Sequence, residues 1–147
     1  MGAGRVKAAE AIVGAVSDPE PRRFVEGGAF EADAGYSRAV RHGPLIAVSG
    51  TTAGQAGADT AAQTEQALRR VIAAVEHLGG TREQITRTRL YLVPAADWPA
   101  AAEVHRRVLG DVAPANTTLF VHALVGEEML VEVEAEAWVP AVAGPQG

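Results

Sequence analysis

The residues most able to do chemistry are three glutamates near the C-terminal end of the chain. Glu132, Glu134 and Glu136 occupy every second position, and small apolar residues occupy the positions between them. A two-residue period is that of a β-strand, so the carboxylates share one face of it. That face either meets water or holds a glutamate in a cleft, where partial burial raises its pKa toward general acid or base duty. The periodicity alone leaves both alternatives open.

The strand that carries the glutamates follows a second alternating stretch, residues 116–123. A short glycine-containing connection at 125–128 lies between the two stretches. Two alternating runs with such a connection are typical of a hairpin. We therefore expect the last two strands to pair with each other.

The remaining elements must position this pair. Hydrophobic periodicity predicts strands over 36–41, 45–49 and 85–93, and helices from 59 or 60 to 78 and over 97–109. Thr81 with Gln84 forms a capping-box pattern that predicts a single helical turn. The first helix should bury Thr64, Ala67, Leu68, Val71, Ile72, Val75 and Leu78, with Gln63 elsewhere; the second should bury Trp98, Ala101, Ala102, Val104, His105, Val108 and Leu109.

The order is strand, strand, helix, strand, helix, strand, strand, which predicts an α+β fold with two helices on one face of a mixed sheet. The other face has no cover of its own. It is expected to carry Trp138, Leu130, Phe120 and Tyr91 among polar groups. An uncovered face of this kind predicts a closed homo-oligomer.

The 147 residues suit one domain. Residues 1–21 are interpreted as an N-terminal extension, helical over 2–16 or disordered, because a proline-rich acidic stretch follows. Residues 22–140 form the domain, and 141–147 are expected to be a flexible tail.

Composition excludes several function classes. The chain has no cysteine, so thiol catalysis and disulfides are ruled out, and its four histidines lack ligand spacing. A formal charge of -5 argues against a nucleic-acid partner. No apolar run is long enough to span a membrane, and the N terminus is a poor signal peptide, so a cytoplasmic protein without a membrane partner is expected.

Several stretches, taken together and in order, resemble one family. They are 35–40 (GYSRAV), 45–50 ending in VSG, Gln63–Thr64, 88–92, Pro114–Ala115 followed by Thr117–Thr118, and 131–135 (VEVEA). In this order they are similar to the Rid family, also called YjgF or reactive-intermediate deaminase and historically labelled endoribonuclease L-PSP. The resemblance covers residues 24–139.

The resemblance implies a chorismate-mutase-like homotrimer with central sheets and a ligand cleft between each pair of neighbouring subunits. It implies cofactor-free hydrolysis of small imine or enamine intermediates, with an arginine on the substrate carboxylate and a glutamate handling water and protons. By position the glutamate is Glu132, the cleft tyrosine is Tyr36, and the backbone at Ser49 and Gly50 borders the pocket.

The sequence departs from the family at the substrate-binding arginine. Asn116 stands in its place, Thr118 replaces a cysteine, and Ala102 replaces a helix asparagine. An amide cannot give the charge-assisted contact of a guanidinium, and a substrate carboxylate left unpaired there costs about 2 to 5 kcal/mol. The ligand is therefore expected to be neutral or to carry its charge elsewhere, unless Arg38 or Arg89 supplies the cation.

Three hypotheses follow. The first is a Rid-type enzyme in which Glu132 is the acid or base and Asn116 and Thr118 help to bind a substrate other than 2-aminoacrylate. The same cleft could instead serve a cyclase, dehydratase or tautomerase. The second is a non-catalytic trimer that binds a small metabolite or another protein. The third, a ribonuclease, follows the old label alone and is disfavoured by the acidic charge.

Overall fold

A computed structural model of the protein describes residues 20–55 and 58–140. The helix predicted over 2–16 and the tail at 141–147 lie outside these residues. In the described ranges no helix combines the length and apolar character needed to cross a bilayer.

Six strands and three helices make up the described fold. They are β1 (Arg22–Phe24), α1 (Ala29–Ala34), β2 (Ala39–His42), β3 (Leu45–Thr51), α2 (Thr60–His77), β4 (Ile85–Leu92), α3 (Trp98–Leu109), β5 (Ala115–Phe120) and β6 (Val131–Trp138), with a 3₁₀ turn at Arg82–Gln84. Every predicted strand and helix of the described region is present. Sequence patterns missed β1 and α1, because three and six residues are too short to show a period.

One six-stranded sheet has the order β1-β2-β3-β6-β4-β5. β4 and β5 are parallel, and all other neighbours are antiparallel. The predicted hairpin of the last two strands is wrong, since β4 lies between β5 and β6. Alternation identifies a strand but not its partner, and α3 supplies the crossover that a parallel β4–β5 pair requires.

α2 and α3 cover one face of this mixed sheet, as predicted for the fold class. Side-chain caps start both helices, since Asp59 accepts from the Ala62 N–H and Asp97 from the Ala100 N–H. Gln63 is fully buried rather than outward-facing. Its amide holds the chain before β6, donating to the carbonyl of Ala58 and accepting from the Leu130 N–H at 2.8 Å.

Trp98 is not a core residue, because it starts α3 and remains 50% exposed. Two residues expected on the uncovered sheet face also lie elsewhere. Leu130 packs against the core ahead of β6. Phe120 is in register with buried Leu92 and so points to the helix side at the end of an edge strand.

The uncovered face carries alternate residues of β4, β5 and β6. On β6, Val131, Val133, Ala135 and Ala137 are buried against the helices, whereas Glu132, Glu134 and Glu136 are partly exposed on the other side. Tyr91 and Leu119 are in register with each other and with Glu132, so they share the glutamate face. The predicted two-faced strand is confirmed.

Candidate active site

A β-bulge shapes the backbone beside Glu132. The β3–β6 register runs from Val48 opposite Ala135 to Thr51 opposite Val133, so β3 carries one extra residue around Ser49 and Gly50. A Cβ added to Gly50 would lie 1.9 Å from Glu132 Oε1. Only glycine lets the carboxylate rest against the backbone here. The glycine therefore fixes where the Glu132 carboxylate sits.

A cavity of about 520 Å³ opens at this bulge. It is lined by Glu26, Gly28, Phe30, Glu31, Ala34, Tyr36, Arg38, Ser49, Gly50, Thr52, Gly54, Arg70, Val125, Gly126, Met129 and Glu132. Four residues singled out from the sequence, Tyr36, Ser49, Gly50 and Glu132, are thus brought together from β3, β6 and the segment before β2. The size is that of a small-molecule site.

The cavity alters the acidity of the Glu132 carboxyl. Burial raises its pKa above the ordinary value of 4.5; Arg38 acts in the opposite direction, and the nearby Glu134 adds to the increase. A carboxyl with a raised pKa exchanges protons closer to neutral pH, which suits a general acid or base.

The raised pKa predicts a pH-dependent effect of Glu132→Gln on stability. As pH rises above 4.5, Glu132 loses its proton in the unfolded chain before it does so in the folded protein, so ionisation favours unfolding. Glutamine does not ionise. The Tm of the variant minus that of the wild type should therefore increase from acidic to neutral pH, measured by thermal melts. A difference that is flat or falls with pH would contradict the raised pKa.

Arg38 forms the buried wall of the cavity next to Gly50. Its Nη1 donates to the Gly50 carbonyl at 2.7 Å and to Thr51 Oγ1 at 3.0 Å, and Nη2 donates to the Tyr36 hydroxyl at 3.4 Å. Its guanidinium also lies 5.7 Å from the centre of the Tyr36 ring. Arg38 thereby positions both Tyr36 and the glycine that seats Glu132.

Arg89, the other arginine considered as a replacement cation, lies outside the cavity lining. Its Nη1 donates to Glu134 at 2.7 Å and to Glu136 at 3.2 Å on the uncovered face. Glu134 and Glu136 are therefore paired with an arginine. Of the three alternating glutamates on β6, Glu132 is the one that lines the cavity.

Ser49 contributes cavity wall rather than a nucleophile. Its hydroxyl donates to the Ser37 carbonyl at 2.8 Å, and its N–H donates to the Arg38 carbonyl at 2.9 Å. The hydroxyl hydrogen is thus used to hold β3 against the segment before β2. No group of three or more His, Asp or Glu side chains suited to a metal ion occurs in residues 20–55 and 58–140.

Asn116 and Thr118 lie away from this cavity within one copy of the chain. Asn116 is in register with buried Thr88, on the helix side of the sheet, whereas Glu132 points to the opposite side. A hydrogen-bond chain links Thr118 to Asn116 at 3.0 Å, Asn116 to Thr88 at 3.0 Å, and Thr88 to His105 Nε2 at 2.8 Å.

These three hydrogen bonds connect the Asn116 side chain to α3 and fix its position. Burial lowers the pKa of His105, so its imidazole is neutral near pH 7. Sequence reasoning identified Asn116 and Thr118 but not their link to Thr88 and His105. The link depends on β4 and β5 being parallel neighbours beneath α3.

Comparison with known proteins identifies the family. The family model described as Endoribonuclease L-PSP matches residues 27–139. A curated relative, SCO2049 of Streptomyces coelicolor, is 32% identical over 126 residues, which cover 82% of this chain and 94% of that protein.

Solved structures agree with this match. Rv2704 of Mycobacterium tuberculosis, a member of the YjgF/YER057c/UK114 family, is 42% identical with a TM-score of 0.76, covering 81% of this chain and 99% of that one. The YjgF product of Escherichia coli is 27% identical with a TM-score of 0.65, covering 70% and 87%. The chain therefore belongs to the YjgF family, whose model carries the description endoribonuclease L-PSP.

Proposed function

We propose that the protein is a cofactor-free Rid-type enzyme that acts on a small imine, enamine or related metabolite, with Glu132 as general acid and base. The observation that carries the proposal is the position of the Glu132 carboxylate, which lies against Gly50 in a cavity of about 520 Å³. Burial there raises its pKa. Aliphatic and aromatic side chains, Phe30, Val125 and Met129, line the same cavity and suit a small organic ligand.

The residues of the cavity support hydrolysis of a C=N bond. Ionised Glu132 takes a proton from water while the water oxygen bonds to the imine carbon. When the imine enters protonated on nitrogen, this addition gives a carbinolamine, and the carboxyl returns its proton to the amine. The C–N bond then breaks and ammonia leaves, while the hydroxyl gives its remaining proton to the re-ionised Glu132 carboxylate and becomes the carbonyl. Tyr36, held by Arg38, offers a hydroxyl that can orient the substrate. Without the water, the same proton transfer would serve a tautomerisation, cyclisation or dehydration.

Asn116 makes 2-aminoacrylate a poor substrate in this proposal. Its amide donates to Thr88 and carries no charge, so it cannot pair with a substrate carboxylate as an arginine does. We expect little ammonia release from 2-aminoacrylate by the wild type. Asn116→Arg should raise the release about 10-fold or more, because the restored ion pair is worth about 2 kcal/mol or more. Efficient turnover by the wild type would show that Asn116 does not redirect substrate choice.

We further propose that three copies close around their uncovered sheet faces and place Asn116 of one copy near Glu132 of the next. Support comes from the exposed apolar residues of that face: Trp138 and Leu45 are directly opposed and are 54% and 43% exposed, and Leu119 is 51% exposed. Large apolar side chains grouped on one uncovered face are typical of an interface.

The two tryptophans provide a matched test of assembly. Trp138 lies on the uncovered face and Trp98 at the start of α3, with exposures of 54% and 50%. Trp138→Glu should dissociate the trimer, because it places a charge within the apolar interface, whereas Trp98→Glu should leave it intact. Light scattering distinguishes three times the 15.2 kDa chain mass from one. Equal behaviour of the two variants would contradict the proposed interface.

A further inference from the structure

Two arginines on the cavity wall share one carboxylate from the chain itself. Glu26 Oε2 lies 3.3 Å from Arg38 Nε and 2.5 Å from Arg70 Nη2. Arg70 reaches the cavity from α2 and is anchored by a 2.7 Å hydrogen bond from Nη1 to the Thr52 carbonyl. Glu26 thus fills the position between two guanidinium groups where an anionic ligand would otherwise bind.

A second carboxylate completes the neutralisation of Arg38. Glu31 Oε1 lies 3.3 Å from Arg38 Nε, and its side chain is 2% exposed. Burial acts to raise the pKa of Glu31, but the N–H groups of Gly27, Glu26 and Gly28 together with Arg38 outweigh it and hold the pKa below its ordinary value. Glu31 therefore stays ionised.

The charge on the cavity wall follows from these contacts. Its carboxyl and guanidinium groups belong to three glutamates, Glu26, Glu31 and Glu132, and two arginines, Arg38 and Arg70. With all five ionised the formal charge is -1. A ligand carboxylate would have to displace Glu26 from both arginines or remain unpaired beside a wall of like net charge, and each alternative is unfavourable.

We propose that Glu26 determines the charge specificity of this pocket by acting as a built-in carboxylate that keeps anionic ligands out. The ligands it admits are uncharged or carry a positive charge on nitrogen, as a protonated imine does. This inference rests on the proposed function of the cavity as the ligand site. Glu26 would therefore disfavour carboxylate ligands in addition to Asn116. Glu26 acts within the cavity of a single copy, whereas Asn116 is proposed to act from the neighbouring copy.

Butyrate and butyramide test the inference, because they have nearly the same shape and differ in charge. Their affinities are compared by calorimetry at low ionic strength for the wild type, Glu26→Gln and the double variant Glu26→Gln with Arg70→Gln. The wild type should favour butyramide. Glu26→Gln should shift the affinity ratio toward butyrate by about 10-fold or more, and Arg70→Gln should reverse that shift. Glu103→Gln, which breaks the exposed pair with Arg106, should change neither affinity.

The outcomes separate this inference from the proposed function. An unchanged ratio in Glu26→Gln, with butyramide still bound, would overturn the role of Glu26 and leave the cavity as the ligand site. Binding of neither probe to any of the proteins would overturn both. Thermal melts establish that Glu26→Gln is folded. If it is not, Arg70→Gln alone should weaken butyrate binding and spare butyramide, and equal loss of both would contradict the inference.

Discussion

Glu132→Gln is expected to lower turnover of the protein's substrate by about 100- to 10,000-fold, the contribution of a positioned general acid or base. Glutamine has nearly the same shape as glutamate, so its side chain can still pack against Gly50. Its amide cannot accept and return a proton as a carboxylate does. The measurement is kcat under saturating substrate, with substrate binding checked separately. Binding should be retained, because the loss is confined to proton transfer.

Glu134→Gln is the matched control for this variant. Glu134 lies on the same strand and the same face, but it pairs with Arg89 and lies outside the cavity lining. Its loss should change kcat by far less than the loss of Glu132. Similar effects of the two substitutions, or no effect of Glu132→Gln, would remove Glu132 from the mechanism.

Gly50→Ala is expected to reduce turnover by about 100-fold while the protein stays folded. The new Cβ would lie 1.9 Å from Glu132 Oε1, so the carboxylate must move away. The atoms that must move belong to the end of the flexible Glu132 side chain, so the free energy of unfolding should change little. A misplacement of about 1 Å at a reacting group is costly for catalysis. The measurements are kcat/KM and Tm.

Gly28→Ala tests whether the effect is specific to position 50. Gly28 lines the same cavity, but nothing lies within 4 Å of a Cβ added there. Turnover should be close to that of the wild type. If Gly50 acts through Glu132, then Gly50→Ala should add little loss in the Glu132→Gln background. A full additional loss would show that Gly50 acts in another way.

Local patterns were sufficient to predict most elements of the fold but not their pairing. α2 and β6 have clear amphipathic periods because each buries one side against the other layer. The prediction for the partner of β5 was wrong because its true partner, β4, ends 23 residues before β5 begins. The two strands are brought together by the α3 crossover rather than by a local turn. The extra residue in β3 is likewise visible only as a register shift against β6.

The cavity lining could be predicted only at residues within the short motifs that resemble the family. Glu132, Tyr36, Ser49 and Gly50 fall in recognisable stretches and converge on the cavity. Glu26 and Arg70 gave no signal, because one stands in a short irregular segment and the other on a helix face that is usually solvated. Their contact forms only when the segment before α1 meets α2 beside β3. Charge neutralisation of this kind depends on three-dimensional neighbours, which sequence spacing does not reveal.

We propose that Asn116 of one copy faces Glu132 of the next across a shared cleft. Because the chain has no cysteine, Asn116→Cys with Glu132→Cys introduces the only two thiols. Within one copy these residues point to opposite faces of the sheet, so a short bis-maleimide should join them between copies. The measurement is the mass of the cross-linked product under denaturing conditions. We predict a covalent species of three chains, and products of single chains alone would contradict the shared cleft.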